Sequence, residues 1–552
     1  MKTNLIFIVY FSLSISNLSA QDTRVWSTYY GGIGMDESHC VTTDNLGNIY
    51  LAGQTDSPNG ISSGGFQDSI GGLTDAYLVK FDALGNRLWA TYYGGINDED
   101  DIRVTTDTLG NVYLAGWTYS DSAIASGGFQ NIYGGLGDAF LVKFDAAGNR
   151  LWATYYGGSA IENGLGVSTD ISGNVYLTGL SYSTSNIASG GFQNSMAGIF
   201  DAFLVKFDSS GNRIWATYYG GIDQEVGQSV VTDISGNVFI SGWTKSASGI
   251  ASGGFQNTFG GLLDAFLVKF DSTGNLLWST YYGGTGQDFG WSISADLSGN
   301  ICLAGWTQSI SNIASGGFQN TYGGNTDGFL VKFNGSGVRQ WATYYGGLDP
   351  EETEDVAIDP SGNIYLAGDT YSASGIASGG FQNNLLGTEN EFVVKFDSNG
   401  SRLCATYYGQ MHDEYGKVAV DDNGSVYLVG MTESISGIAS GGFQNTFGGG
   451  LYDAYLVKFT SCGEVGINEN ENRLSFNIYP NPTKQIATLE FDNSNNEIFE
   501  LTIFNSYGKL VWTTSNISTN RIELNTQNLT NGLYLFYLQS DKQIATGKLI
   551  IE

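Results

Sequence analysis

The residues of this sequence best suited to chemistry are clustered carboxylates. They stand in segments that follow a recurrent Tyr-Tyr-Gly-Gly string, for example four acids in a row at 98–101. Carboxylate oxygens are the hard donors that Ca²⁺ prefers in proteins, although no EF-hand loop is present. The calcium candidates are Asp98, Glu99, Asp100, Asp101, Asp349, Glu351 and Glu352. The alternative interpretation is a solvated acidic surface that keeps an exported protein soluble.

Residue types that support catalysis are scarce. The two histidines, His39 and His412, occupy non-equivalent places, and we expect both at the surface. The sequence contains no nucleophile elbow and no HExxH metal motif. A pair such as Asp98 and Asp101 has the residue types of a glycosidase acid and base, but comparable segments differ in the number and spacing of their acids. We therefore expect no catalytic residue and, apart from calcium, no cofactor.

The acids recur because the chain contains seven copies of one unit. The string Trp-(Ala/Ser)-Thr-Tyr-Tyr-Gly-Gly begins every 63 residues, and its seventh copy reads Cys-Ala-Thr-Tyr-Tyr-Gly-Gln. The copies start at Trp26, Trp89, Trp152, Trp215, Trp278, Trp341 and Cys404. A second string, DAFLVKF with variants, keeps the same interval. Such a period is typical of propellers and solenoids.

Each unit predicts four short strands and no helix. In the second unit we expect strands at 104–107, 111–118, 138–144 and 150–156, which are rich in β-branched and aromatic residues. Segments of the form Asp-x-x-Gly-Asn suit tight hairpins, because Asp bonds its own backbone and Gly takes a positive φ. The aspartate that opens DAFLVKF is expected to cap a turn or to pair with a lysine.

Two unusual loops are predicted to share one face of the assembly. One is the acidic segment between the fourth strand of a unit and the next first strand. The other is a long loop between the second and third strands, which ends in Ser-Gly-Gly-Phe-Gln-Asn or a close variant. Its regular glycine pair and phenylalanine indicate a structural role, with Phe packed between units.

The ends of the repeat region distinguish a ring from an open solenoid. The region begins with a lone fourth strand at 23–32 and ends after a third strand at 453–459. Together they complete one blade if the ring closes, and closure removes the open sheet edges. The sequence therefore predicts an all-β fold: a seven-bladed β-propeller of four-stranded blades, closed by the N-terminal strand and followed by a small β-sandwich.

Composition supports a folded, acidic protein. The 552 residues include 79 glycines and 41% hydrophobic residues, and the net charge is −31. This charge argues against nucleic acid as a partner. The four cysteines show no CxxC spacing. Since Cys302 and Cys404 replace aromatic residues of other repeats, we expect buried thiols, with Cys40 and Cys462 as the one candidate pair.

Residues 1–20 have the pattern of a secretory signal peptide. Lys2 precedes an apolar run from Leu5 to Ile15, and Ser19 and Ala20 supply the small residues of a cleavage site. The run is too short to span a bilayer. No later segment approaches 18 apolar residues, so we expect no transmembrane segment in the mature chain.

The repeated strings GNVYLAGWT, SGGFQN, DAFLVKFD and WATYYGG resemble the SBBP family of bacterial β-propeller repeats. The resemblance covers roughly residues 22–463, and we assign 21–463 to the propeller. It implies the propeller fold and no agreed chemistry.

Residues 473–552, after a polar linker at 464–472, form a second unit without the period. Its YPNP, Gly-Lys, NGLY and terminal Lys-Leu-Ile elements resemble, in that order, the C-terminal (Por) sorting domain of the type IX secretion system of Bacteroidetes. The matching residues are Tyr479, Pro480, Asn481, Pro482, Gly508, Lys509, Asn531, Gly532, Tyr534 and Lys548. The resemblance implies that the secretion machinery is a partner and that the protein is secreted or held on the cell surface. The alternative is an accessory adhesive domain.

The function predicted from these features is non-catalytic. We expect a monomeric, exported scaffold for binding or adhesion that presents seven similar loop sets to a glycan or a protein, with avidity from several weak sites. The alternative from a different class is a carbohydrate-active hydrolase or lyase that uses the acidic loops.

Overall fold

The protein is described here by a computed structural model, which covers residues 24–411, 413–460, 476–494, 497–505, 509–527, 529–540 and 544–552. The chain divides into two compact units, Met1–Glu464 and Val465–Glu552. The predicted signal peptide lies outside the described residues. Within them, every regular element is a β-strand, and no helix is long and apolar enough to cross a membrane.

The first unit is a ring of seven four-stranded antiparallel sheets, as the sequence predicts. Strand β1 is Arg24–Tyr30. Blades 1 to 3 consist of β2 (Asp36–Thr43), β3 (Ile49–Thr55), β4 (Asp75–Phe81), β5 (Arg87–Tyr93), β6 (Glu99–Thr106), β7 (Val112–Thr118), β8 (Asp138–Phe144), β9 (Arg150–Tyr156), β10 (Glu162–Thr169), β11 (Val175–Ser181), β12 (Asp201–Phe207) and β13 (Arg213–Tyr219). Blades 4 and 5 consist of β14 (Glu225–Thr232), β15 (Val238–Thr244), β16 (Asp264–Phe270), β17 (Leu276–Tyr282), β18 (Asp288–Ala295), β19 (Ile301–Thr307), β20 (Asp327–Phe333) and β21 (Arg339–Tyr345). Blade 6 is β22 (Glu351–Ile358), β23 (Ile364–Thr370), β24 (Asn390–Phe396) and β25 (Arg402–Tyr408), and blade 7 contributes β26 (Asp413–Val420), β27 (Val426–Thr432) and β28 (Asp453–Phe459).

The ring is closed by the N-terminal strand. Strand β1 pairs antiparallel with β28, from Tyr30 opposite Ala454 to Arg24 opposite Phe459, and so becomes the fourth strand of blade 7. Closure uses the same contacts that join the other blades. The Trp26 indole N–H donates to the Ala83 carbonyl at 3.2 Å, as Trp89 does to Ala146 at 3.0 Å.

The predicted hairpins form around an aspartate. In blade 2, Asp107 Oδ1 accepts hydrogen bonds from the backbone N–H groups of Leu109 and Asn111, and Gly110 has φ +80°. Asp107 Oδ2 lies 3.7 Å from the buried Nζ of Lys143 in the third strand. The third-strand lysine thus pairs with the hairpin aspartate, whereas the aspartate that opens the strand caps a turn: Asp138 Oδ2 accepts from Gly134 N at 2.8 Å.

The long loop between the second and third strands starts on the predicted face, beside the segment that follows the fourth strand, because Gly34 N donates to Ser57 Oγ at 2.8 Å and Asn97 N donates to Ser120 Oγ at 2.9 Å. The rest of the loop does not stay there. It runs along the outer edge of its own blade, where Ser63 and Ala90 exchange both backbone hydrogen bonds and Tyr92 N donates to Gln67 O. A Cβ at Gly65 would lie 2.6 Å from the Ala90 carbonyl, so the close approach needs glycine. The loop therefore covers the edge strand, which would otherwise present unpaired backbone groups to other chains.

The recurrent phenylalanine of this loop packs between blades, as predicted. The ring centroid of Phe66 lies 6.2 Å from that of Tyr93 in its own blade and 6.5 Å from that of Phe144 in the next blade. Its outer face carries a guanidinium that was not predicted, since Arg150 Cζ lies 4.3 Å from the ring centroid. The same contact occurs at five other blade junctions: Arg24 on Phe381, Arg87 on Phe443, Arg213 on Phe129, Arg339 on Phe255 and Arg402 on Phe318.

One junction lacks this cation–π contact, and a substitution can supply it. Leu276 replaces arginine beside Phe192, whose side chain is 48% exposed. We expect Leu276→Arg to stabilise the propeller by about 0.5–1 kcal/mol, as exposed cation–π contacts do. Thermal melting checks this prediction. The control is Leu277→Arg, which adds the same charge at a residue that is already 52% exposed. Equal melting temperatures for the two variants would contradict the assignment.

The second unit is a β-sandwich, as predicted. One sheet pairs β29 (Phe476–Tyr479), β30 (Ile486–Phe491) and β33 (Arg521–Asn525), and the other pairs β31 (Phe499–Asn505), β32 (Leu510–Ile517), β34 (Gly532–Gln539) and β35 (Ile544–Ile551). Buried residues of both sheets, among them Leu489 and Phe536, form one hydrophobic cluster.

The cysteine prediction needs correction. Cys40 and Cys302 are free thiols, so Cys40 is not paired with Cys462. The expectation of a buried thiol at Cys404 is wrong, because Cys404 is disulfide-bonded. Cys302 is a buried thiol, as expected, because it occupies an aromatic position in the packed interior.

Candidate functional site

The first strand of blade 2 begins earlier than predicted, so most of the acidic residues there belong to the strand and not to the preceding loop. Strand β6 starts at Glu99, not at Val104. The Glu99 side chain is buried, where Oε1 accepts from Thr118 Oγ1 at 2.5 Å and Oε2 accepts from Gly95 N at 3.0 Å. In the same way, Glu351 Oε1 accepts from Thr370 Oγ1 and Glu351 Oε2 accepts from Gly347 N. Both calcium candidates are therefore structural carboxylates.

Each of these carboxylates faces a second buried carboxylate from the preceding blade. A Cβ at Gly94 would lie 2.2 Å from Glu99 Oε2 and 2.6 Å from Asp75 Oδ1, which explains the first glycine of the Gly-Gly pair. The pairs are Asp75–Glu99, Asp138–Glu162, Asp201–Glu225, Asp264–Asp288, Asp327–Glu351 and Asp453–Asp36. Blade 6 carries Asn390 instead of the first aspartate.

Burial of two like charges raises the pKa values of these pairs. The pKa of Asp75 is raised to about 6, that of Glu99 to about 8 and that of Asp138 to about 7. The pKa values of Asp264, Glu351 and Asp453 are also raised to about 7. Desolvation is the main cause, and a neighbouring carboxylate, which in all of them but Asp75 is the pair partner, adds to it.

The remaining calcium candidates do not come together. Asp98 and Asp349 lie in loops of blades 2 and 6, while Asp100, Asp101 and Glu352 stand on the inner strands of those two blades. In the described part of the chain, no group of three or more His, Cys, Asp or Glu side chains is arranged to hold a metal ion. The calcium site stays a prediction.

The repeats differ most where their innermost strands line the central channel. The fourth residue of these strands is His39, Ile102, Leu165, Gln228, Trp291, Glu354 and Gly416, and the fifth is Cys40, Arg103, Gly166, Ser229, Ser292, Asp355 and Lys417. Residues from all seven blades line one cavity that is partly open to solvent. We call the end of the channel at which these strands begin the channel mouth.

His39 lies in this channel and not at the surface, which corrects the prediction. Its Nδ1 accepts a hydrogen bond from Ile102 N at 3.1 Å. Its Nε2 faces Glu37 Oε2 at 3.3 Å, and its side chain is 11% exposed. The acceptor role of Nδ1 leaves Nε2 as the proton-bearing nitrogen of the neutral ring. His412 lies outside the described residues.

Two residues with unusual backbone geometry flank His39 in the adjacent blades. Asp101 has φ +54° and Tyr415 has φ +67°, in a region that favours glycine. Both interrupt the pairing of an inner strand as a bulge. The bulge directs Asp101 Oδ2 to the Trp117 indole N–H at 3.0 Å. Such outliers concentrate at functional sites, although the carboxylate also has a structural partner.

Blade 6 forms the acidic side of the channel. The acidic arc consists of Glu352, Glu354, Asp355, Asp369, Glu389 and Glu391. The one ammonium described there is that of Lys417, which lies 3.0 Å from Glu354 Oε2. Burial, together with the charges of Glu354 and Glu389, raises the pKa of Asp369 well above its usual range.

The acidic arc departs from the repeat at identifiable positions. Asp369 stands where three other blades have tryptophan, and Glu391 stands where the other blades have alanine or glycine. The two are directly opposite each other in neighbouring strands. The side chains that fill the blade interface elsewhere are thus replaced by carboxylates at the junction of blades 6 and 7.

Blades 3 to 5 form an aromatic side. The aromatic arc consists of Tyr182, Phe200, Trp243, Phe289, Trp291 and Trp306, whose successive ring contacts join three blades. Phe289 stacks on Trp306 with centroids 4.1 Å apart. Trp291 lines the cavity itself, and its indole N–H has no partner among the described residues.

Sequence analysis missed this site although a signal was present. The inner-strand positions change from blade to blade, while the strings around them hardly change. Variation in the number and spacing of the acids argues against a catalytic pair but not against a binding site. Comparison of the seven copies position by position identifies the channel mouth instead.

The sorting-domain residues fall into two groups. Asn481 joins the YPNP element to the last strand, since its Nδ2 donates to Lys548 O at 2.7 Å and its Oδ1 accepts from Ile550 N at 2.8 Å. Tyr534 is buried, and its hydroxyl donates to Thr530 O. Lys509, Asn531 and Lys548 are exposed, and Gly508 lies outside the described residues.

Family models match both units. Residues 25–61, 88–122, 214–249 and 340–375 match the SBBP beta-propeller repeat, and residues 477–552 match the secretion system C-terminal sorting domain. The protein thus carries SBBP-type repeats in a propeller and a sorting domain that directs it through the type IX secretion system to the cell surface or the extracellular space.

Individual proteins are more distant. The chain is 24% identical over 446 residues to an uncharacterized WD repeat-containing protein of Acanthamoeba polyphaga mimivirus, covering 65% of this chain and 31% of that protein. It is 25% identical over 253 residues to the regulatory protein FlaEY of Caulobacter vibrioides, covering 43% of this chain and 26% of that protein. The chain thus spans less than a third of the length of these relatives. A solved ulvan lyase is 10% identical, with a TM-score of 0.38, over 74% of this chain and 93% of that one.

Proposed function

We propose that this secreted propeller is a non-catalytic binding or adhesion protein that takes its ligand, a glycan or a protein, at the channel mouth. One observation carries the proposal: the near-identical repeats diverge at the channel, where their side chains form an aromatic arc next to an acidic arc. A concave site with apolar rings and a few polar groups is the usual form of a ligand site.

This proposal replaces the expectation of seven equivalent loop sets. The Ser-Gly-Gly-Phe-Gln-Asn loops are engaged along the blade edges, and the recurrent acids are buried in pairs. Since the channel is asymmetric, we expect one ligand per ring and not a multivalent array.

A second candidate function, a glycan hydrolase or lyase, rests on the acidic arc. Asp369 and Glu352 place two carboxyls in one region, and burial raises the pKa of both, that of Asp369 well above its usual range. Such a pair supplies an acid and a base for glycoside cleavage.

Binding at the channel mouth predicts that an aromatic substitution there lowers affinity. Trp306→Leu copies the residue of blade 3, Leu180, and should weaken binding at least tenfold, because a stacked ring is lost. Ligands are first selected from a glycan array and a surface-protein panel, and affinity is then measured by calorimetry.

The control is Asp68→Asn, a change on the outer edge to the residue that the other blades have there. It should leave affinity unchanged. Equal loss in both variants, or none in Trp306→Leu, would refute the site. A reducing-end assay on the array hits detects product if the protein is an enzyme, and turnover would establish the second candidate.

A further inference from the structure

We infer that the ligand of the channel mouth is a cationic amino-sugar glycan, with free ammonium groups on its sugar rings. This inference rests on the proposed function and specifies its ligand. It combines the cavity, the aromatic arc and the charge of the channel wall.

The charge of the wall selects against anionic ligands. The acidic arc supplies six carboxyls, and Glu37, Asp100 and Asp101 continue it on blades 1 and 2. The cations described on the inner strands are Lys417 and Arg103, and each already lies within 4.0 Å of a carboxylate, Glu354 and Asp101 respectively. A polyuronate or a sulfated polysaccharide would therefore enter a field of its own sign, whereas an ammonium is attracted.

The aromatic arc favours a ligand with flat apolar faces, which can stack on its rings. Its rings follow one another at centroid distances of 4.1–6.5 Å across three blades, and Tyr182 exposes 42% of its surface. The C–H faces of sugar rings can stack along such a track, and an ammonium near an aromatic face gains cation–π attraction. A simple inorganic cation would use the carboxylates but not the rings.

Hydroxyl groups also find partners in the cavity. Ser229, Ser292 and Gln228 line it beside Trp291, whose indole N–H lacks a partner among the residues that the structure describes. Buried polar groups normally have hydrogen-bond partners, and a polyhydroxylated ligand can both donate and accept. A lysine-rich peptide shares the charge but lacks the flat polyhydroxylated rings.

The test compares four probes on the full chain by calorimetry: glucosamine oligomers, their N-acetylated counterparts, polygalacturonate, and a lysine peptide of matched charge. We expect glucosamine oligomers to bind at least tenfold more tightly than each of the others, with affinity falling as salt is raised. The variant Asp369→Trp/Glu391→Ala restores the residues of other blades and should cost at least tenfold. Asp68→Asn is the control for charge alone, and melting curves verify that the variants fold.

The outcomes separate the inference from the proposed function. Equal or tighter binding of the acetylated oligomer, of polygalacturonate or of the lysine peptide overturns the amino-sugar assignment and leaves a binding protein. The amino-sugar assignment is also overturned, and a binding protein remains, if glucosamine oligomers do not bind while another ligand binds the wild type and is lost in Trp306→Leu. Absence of any ligand from the probes, the array and the protein panel overturns both.

Discussion

A mature chain that lacks residues 21–30 is expected to lose most of the stability of its propeller. The deletion removes β1, the fourth strand of blade 7, and exposes β28 as an open edge. It also removes Trp26, Tyr29 and Tyr30, which are at most 5% exposed. Full burial of such side chains contributes roughly 1.5–3 kcal/mol each, so the loss is on the order of 6 kcal/mol before any hydrogen bond is considered.

Hydrogen bonds across the closure add to this loss. The Tyr30 hydroxyl donates to Ile61 O at 2.6 Å, and Ser27 N donates to Ser440 O at 2.9 Å. Loss of the Tyr30 bond leaves the carbonyl of the buried Ile61 without its partner, which costs about 1–3 kcal/mol. We expect the melting temperature to fall by more than 10 °C, measured by calorimetry and far-UV circular dichroism.

The control restores the strand in trans. A synthetic peptide of residues 21–32 should raise the melting temperature of the truncated chain in a concentration-dependent way, because it binds the folded state. A peptide with Trp26, Tyr29 and Tyr30 replaced by serine should not. A truncated chain with the melting curve of the full protein would contradict closure by β1.

The propeller was predictable because its information is local and repeated. The third and fourth strands of blade 2 begin and end at the predicted residues, since Asp138–Phe144 and Arg150–Tyr156 are bounded by hairpins. The first strand was not, because its first half, Glu99–Asp101, faces the channel and a buried acid pair and so lacks an apolar alternation. A run of acidic residues is predicted to be a loop unless the burial of its side chains is known.

The channel mouth was harder to predict because its residues meet only when the ring closes. Lys417 and Glu354 are 63 residues apart, yet the atoms of their ion pair are 3.0 Å apart. Asp369 becomes unusual only when it is compared with Trp117, Trp243 and Trp306 in the other repeats. Sequence spacing within one unit contains neither fact.

The propeller is expected to lose stability as the pH rises from about 5 to about 8.5, because of the buried carboxyl pairs. Their folded pKa values of about 6 to 8 lie above the value of about 4 in an unfolded chain. In that window the folded state binds more protons than the unfolded state, so the free energy of unfolding decreases with pH. One extra proton per pair corresponds to about 1.4 kcal/mol for each pH unit.

The hairpin aspartates act in the opposite direction at lower pH. The pKa of Asp145 is lowered by hydrogen bonds from Asn149 and Ala147 that outweigh desolvation, and that of Asp271 is lowered to about 2. Their contribution is lost as the pH falls below about 4. We therefore expect greatest stability near pH 4–5 and a melting temperature at least about 5 °C lower at pH 8.5, measured in buffers of constant ionic strength.

Asp138→Asn tests whether the pairs cause this dependence, because blade 6 already has Asn390 at that position. Asn390 Oδ1 accepts from Leu386 N at 2.8 Å, as Asp138 Oδ2 accepts from Gly134 N. The amide nitrogen would replace Asp138 Oδ1, which has no hydrogen-bond partner in the described part of the chain, and can donate to Glu162. We expect this variant to be more stable than the wild type at pH 8.5, by about 1 kcal/mol or more, with a shallower pH dependence.

The matched control is Asp145→Asn, since Asn334 occupies the equivalent hairpin of blade 5 and accepts from Ser336 N and Val338 N at 3.0 Å. It removes the same charge from an exposed site whose pKa is lowered, so it should bring no gain at pH 8.5. Equal gains in the two variants would mean that the overall charge of −31 drives the pH dependence. A gain in Asp138→Asn alone would locate the cause in the buried pair. Of the two substituted sites, only that of Asp138 brings two buried carboxyls together.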